Sequence, residues 1–124
     1  MKQIFHITTR DDWKAAQRDG VYTAPSLDAE GFIHCSTIDQ VVATANSFYR
    51  GRRDLVLLCI EESRLKAPLR YESPANPDDT RASQRFPHLY GRLNLDAVDR
   101  VVEFPCESDG LFQLPAALPA LLSN

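Results

Sequence analysis

An excess of positive charge, a long apolar run and a CxxC pair are all missing from this chain. Each absence removes a class of protein. With a formal net charge of -3 and a pI near 5.5, there is no overall basic footprint for nucleic acid, and only a local patch such as Arg50, Arg52 and Arg53 could serve that purpose. The longest apolar stretch, Leu55–Ile60, is far too short to span a bilayer. The N-terminus lacks the charged-then-apolar pattern of a signal peptide, so no membrane partner and a cytoplasmic location are expected. Cys35, Cys59 and Cys106 are odd in number and unpaired in spacing, which points to free thiols.

What remains is ordinary globular composition: 124 residues, 44% hydrophobic and 25% charged. Such a length buries a core without staples. The expected organisation is one domain over 1–104, followed by a tail over 105–124 packed on its surface. No repeat or low-complexity block interrupts it.

Along the chain, alternation predicts a first strand to Thr8 with Ile4, His6 and Thr8 on one face and Phe5 and Ile7 on the other. Thr9 then caps a helix carrying Asp11 and Asp12 in its first turn and stopping at Gly20. Residues 25–31 read as turns, and Phe32–Ser36 as a second strand. Thr37 and Gln40 form a capping-box pattern before a helix with Ile38, Val41, Val42, Ala45, Phe48 and Tyr49 on its apolar face, ended by Gly51. Leu55–Ile60, apolar on both faces, reads as a central strand, with Cys59 in the core. Leu69–Glu72, Phe86–Tyr90 and Val101–Phe104 are further strands, and Asp96–Val98 a brief helical turn. Residues 73–84 are rich in Pro, Asn, Asp and Ser and read as a mobile loop.

Chemistry concentrates in the three histidines, each in a strand-like segment: His6 with Thr8, His34 with Ser36, and His88 near Tyr90. A neutral imidazole accepts at one nitrogen and donates at the other, which suits ribose hydroxyls, phosphate oxygens or proton transfer. The plain alternative is three buried, satisfied histidines. Cys35 beside His34 resembles an activated nucleophile, but neighbours on a strand face opposite ways. A zinc site of His6, His34 and His88 with Glu72 has suitable ligand types but no tight spacing, and no metal is expected. Arg52 and its neighbours could hold a phosphate or simply complement a helix end. Glu61-Glu62 reads as solvated surface, and Tyr71 and Tyr90 as core or rim.

The ordered series Phe5-His6-Ile7-Thr8, Gly20-Val21-Tyr22, Glu30 to Ser36, Asp54 to Leu58, Glu72 and Phe86-Pro87-His88-Leu89-Tyr90-Gly91 closely resembles the bacterial family called domain of unknown function 952. That family is similar in turn to the ADP-ribosyltransferase fold, nearest to RNA 2'-phosphotransferases, with His6-Ile7-Thr8 and His34-Cys35-Ser36 matching its two histidine-bearing strands. The resemblance implies an α+β fold of two small packed, mainly antiparallel sheets with flanking helices. It also implies that His6 contacts the nicotinamide-side ribose of NAD, with His34 and Ser36 lining the same cleft. Ile7 stands where the relatives have glycine and Phe5 where they have a phosphate-binding arginine. Glu72 and Glu103 are the candidates for their late-strand glutamate.

The leading expectation is therefore a cleft binding NAD or a related nucleotide, with ADP-ribosyl or phosphoryl transfer as its chemistry. His6, His34, Glu72 and His88 would be catalytic, and Thr8, Ser36, Arg52 and Tyr90 would bind the ligand. A non-catalytic module for a nucleotide, an RNA end or a protein is the alternative. The two H-x-[Thr/Ser] elements also resemble two-histidine phosphoesterases, although copies 28 positions apart leave little room for the two long halves of those enzymes.

Overall fold

A strand apolar on both faces must be covered on both sides, and the chain arranges itself around that requirement. In the computed structural model, which describes residues 2–74, 83–116 and 118, the elements run in order β1 (Gln3–Thr9), α1 (Arg10–Asp19), β2 (Val21–Tyr22), α2 (Pro25–Glu30), β3 (Ile33–His34), α3 (Val41–Phe48), β4 (Leu55–Glu61), β5 (Leu69–Glu72), β6 (Phe86–Leu89), β7 (Leu93–Asn94) and β8 (Val98–Glu103). Single 3-10 turns occupy Glu62–Arg64 and Leu95–Ala97. Strand β4 is the middle of the antiparallel sheet β1-β4-β8, and every one of its residues is buried.

Alternation along β1 and β4 divides the interior in two. Ile4, Val56, Leu58 and Ile60 join Ala16, Tyr22, Ile33, Leu89 and Leu93 on one side of the sheet. Phe5, Ile7, Leu55, Leu57 and Cys59 join Val41, Ala45, Phe104, Phe112 and Leu118 on the other. A second antiparallel sheet has the order β3-β6-β5, and β2 pairs with β7 as a separate ribbon. The two larger sheets meet where Phe5 and Ser36 exchange backbone hydrogen bonds of 2.8 Å.

The α+β class, the antiparallel sheets and the caps of α1 agree with the sequence. Thr9 accepts from the Asp12 amide and Gly20 closes the helix at φ 80°. Six local expectations need correction. The two-stranded β2–β7 ribbon adds a third sheet, its short strands carrying too little periodicity to be read. Residues 25–30 form a helix rather than turns, since Pro25 opens it and Gly31 at φ 90° ends it. The Phe32–Ser36 strand shrinks to Ile33–His34 and the bridge at Ser36. Helix α3 stops at Phe48 and leaves that ring exposed, while Gln40 reaches back to the Thr37 amide at 3.0 Å. Glu61, opposite Gln3 in the ladder, is buried rather than solvated. Cys106, Phe112 and Leu118 complete the second core instead of packing on the surface as a tail. The remainder of that tail, and residues 75–82 of the expected loop, lie outside the described residues. No helix among the described residues is long and apolar enough to cross a membrane.

Gly91, three residues beyond His88, supplies a test of the packing beside β6. A Cβ at this position, where φ is +156°, would lie 2.7 Å from the Ala67 Cβ. Gly91→Ala is expected to destabilise by roughly 1–3 kcal/mol, and Ala67→Gly in the same chain to recover part of the loss. Denaturant unfolding measures both; an unchanged midpoint for the single variant would show that the contact relaxes freely.

Candidate functional site

A cavity of about 600 Å³ opens between the two larger sheets, and His6, Thr8, His34, Ser36 and His88 all line it. Their convergence has a backbone cause. The Phe5–Ser36 bridge sets β1 beside the end of β3, and the β3–β6 register places His34 directly opposite His88. Alternation then puts Phe32 and Tyr90 on the same face. Phe32 stacks on His88 with centroids 4.1 Å apart, and the His34 and His88 rings meet edge to face at 5.6 Å.

His6 is the innermost of the three. Its Nδ1 lies 2.5 Å from the His34 carbonyl oxygen, and its Nε2 lies 2.7 Å from the Tyr22 hydroxyl. Burial pushes its pKa down to about 4, against a smaller upward pull from the His34 carbonyl. Both ring nitrogens are thus engaged within the protein. The polar side chains beside it in the cavity wall are Thr8 and Tyr22. Tyr22 is itself buried, which raises its pKa, and lies 3.0 Å from Thr8 Oγ1.

His34 and His88 are each paired with a carboxylate. His34, with 46% of its side chain exposed, places Nε2 2.7 Å from Glu30 Oε2. His88, nearly enclosed, places Nδ1 2.9 Å from Glu72 Oε1, which also receives the Tyr90 hydroxyl at 2.5 Å. Tyr90 first and His88 second hold the Glu72 carboxyl below its usual range. An ionised carboxylate only accepts, so the nitrogen facing it carries the proton. In the neutral rings the lone pair therefore sits on Nδ1 of His34 and Nε2 of His88. The pair is equipped for general acid–base work, one imidazole at the solvent side and one at the enclosed side.

The other sequence candidates fall elsewhere. Glu72 and Tyr90 are not in the cavity wall but behind His88. Arg52 is tied to Asp54 by two contacts of 3.0 and 2.9 Å and does not line the cavity; its neighbouring acid two positions on was the signal for that pairing. Glu103 binds Arg10 at 2.5 Å on the outer surface. Cys35 lines the cavity, yet burial pushes its thiol up to about 12, far from a ready nucleophile. No group of three metal-ligating side chains occurs among the described residues. Sequence reasoning missed Glu30, Tyr22, Asp12 and Phe32. For Glu30 the signal was present: it stands four positions before His34 across a tight glycine turn.

Fold and site together define a small α+β protein with a histidine-lined cleft. The family model described as a protein of unknown function, DUF952, matches residues 7–101, and the chain belongs to that family. The crystal structure of protein CC0527 from Caulobacter crescentus is similar, at 32% identity over 99% of this chain and 100% of that one, with a TM-score of 0.80. The solution structure of CC0527 gives 36% identity over 92% and 94%, with a TM-score of 0.76. No curated protein matches the chain.

The buried imidazole has a measurable consequence. His6 has a pKa near 4 when folded and near 6.5 as a free group, so between those values the unfolded chain binds more protons. The stability contributed by the neutral ring is complete above pH 6.5 and falls by about 3 kcal/mol as pH drops toward 4. The depressed carboxyls Asp54, Glu72, Asp96 and Glu103 act lower in pH. His6→Asn, whose amide can still donate to the His34 carbonyl, is expected to flatten the upper half of that decline in denaturant unfolding. Parallel curves for the two proteins would refute the assignment.

Proposed function

We propose that the cleft binds NAD, or a nucleotide sharing its ribose, and that the reaction is transfer of the ADP-ribosyl group. The observation that carries this reading is the meeting of three histidines and the hydroxyls of Thr8 and Ser36 in one cavity of about 600 Å³. That volume is of the size compact ligands occupy. Phe48, Tyr49 and Phe86 give the lining an aromatic side, and the hydroxyl wall suits a sugar. The likeness of His6-Ile7-Thr8 and His34-Cys35-Ser36 to the histidine strands of ADP-ribosyltransferases supports the same choice.

Charge favours ribosyl over phosphoryl transfer. Among the described lining residues the formal charges are Asp12 and Glu30, and no lysine or arginine is present to clamp a transferring phosphoryl group. A carboxylate in that wall stabilises the positive charge that develops at the anomeric carbon as nicotinamide leaves. Glu30, paired with His34 in the lining, takes this role in place of Glu72, which lies outside the lining. As the anomeric carbon–nitrogen bond to nicotinamide breaks, a carbon–oxygen bond forms to the hydroxyl of an acceptor, or of water when NAD is alone, and His34 accepts its proton. The same lack of a cation also favours, as a second reading, non-catalytic binding of a nucleoside-like RNA end; turnover separates the two.

Calorimetry with NAD and chromatographic detection of free nicotinamide test both. Wild type is expected to bind NAD and release nicotinamide, and Glu30→Gln to keep binding while release falls roughly a hundredfold. Binding without release assigns the cleft to the second reading. A folded wild type that does neither overturns the proposal.

A further inference from the structure

The hydrogen bonds running from His34 through His6 and Tyr22 to Thr8 can be oriented in only one direction. The His34 carbonyl is an acceptor, so His6 Nδ1 donates to it across 2.5 Å. In the neutral ring Nε2 then has a lone pair and no proton, and the Tyr22 hydroxyl at 2.7 Å must donate to it. A phenol has one proton. The 3.0 Å contact between Tyr22 and Thr8 could be donated by either hydroxyl, but the Tyr22 proton is already committed to His6. Thr8 therefore donates to the Tyr22 oxygen. The reverse orientation would require a doubly protonated His6, which its burial opposes.

We propose that Thr8 Oγ1 meets the ligand only as a hydrogen-bond acceptor, and that Tyr22 and His6 are positioning residues that impose this state. Thr8 is in the cavity wall, and with its proton given to Tyr22 its hydroxyl has only lone pairs to offer a ligand that reaches it. What it recognises is a donor: an O–H of a ribose, given the nucleotide reading of the site on which this inference rests. A sugar lacking that hydroxyl leaves a buried acceptor unpaired, which is costly. The cleft thus selects a hydroxylated ribose over a deoxyribose at the position Thr8 touches. His6 acts on the ligand at a remove of three hydrogen bonds, through Tyr22 and Thr8.

Two measurements separate this inference from the function it rests on. Nitrogen-15 NMR of the wild-type imidazoles at neutral pH reads the His6 tautomer without any ligand; protonated Nδ1 with bare Nε2 is expected, and the opposite tautomer overturns the orientation. Calorimetry then compares NAD with analogues lacking the 2'- or the 3'-hydroxyl of the nicotinamide ribose. One analogue is expected to bind roughly ten- to a hundredfold more weakly to wild type. Thr8→Ser keeps that discrimination, Thr8→Val abolishes it, and Tyr22→Phe, which returns the Thr8 proton to the cavity, weakens it, each variant being checked for folding by its melting curve. If NAD binds while both analogues bind equally well, the inference fails and the nucleotide reading stands. If NAD does not bind at all, the hydroxyl contact falls with that reading, while the tautomer result still judges the chain of hydrogen bonds.

Discussion

The two backbone hydrogen bonds between Phe5 and Ser36 join what would otherwise be separate sheets. Without them β1 would present an unpaired edge and β3 would end in solvent. With them, the His34 carbonyl comes to rest on the His6 ring, and the two faces of the cavity acquire a fixed separation. A contact of this kind is insensitive to side-chain identity, since it is made by amides and carbonyls that any residue carries. The side chains are free to specialise because the frame does not depend on them.

That specialisation is a division by environment. His6 is enclosed and neutral, and its value lies in orienting neighbours. His34 and His88 share a strand face with Phe32 and Tyr90, and each is steered by an acid from a different element: Glu30 from the end of α2, Glu72 from β5. Three imidazoles of identical chemistry thereby acquire three different tasks. No described lysine or arginine in the lining opposes Asp12 and Glu30, so the local field favours positive over negative charge.

Features that a short window determines were legible in the sequence. Thr9 and Gly20 mark the ends of α1, the two-sided apolarity of Leu55–Ile60 marks the central strand, and period-two spacing places His6 with Thr8. Whether the three histidines meet was open in the sequence, because His6 lies on one sheet and His34 and His88 on another, and the Phe5–Ser36 bridge that joins them is a long-range pairing. Long-range pairings were the blind spot. Nothing near Arg10 says that it will hold Glu103, and nothing around Phe112 says that its amide will find Asn46 Oδ1 at 2.7 Å. The second nitrogen of His6 belongs to the same class, since its partner Tyr22 arrives only when the β2–β7 ribbon is laid down. The Pro25–Glu30 helix was different: its proline start and glycine stop were both visible, but six residues hold too little periodicity to outweigh a turn-rich composition.

The closure of the second core by Phe104, Phe112 and Leu118 bears on how the molecule comes into being. Helix α3 and the outer face of β4 are complete long before those residues exist on a growing chain, and loop closure over so many positions is slow compared with helix formation. Until they arrive, the cluster of Val41, Ala45, Leu55 and Leu57 lacks three of its buried members. The packing of α3, whose last residue Phe48 lines the cavity, is therefore completed by side chains about sixty positions or more further along the chain, and the pocket's shape depends on them.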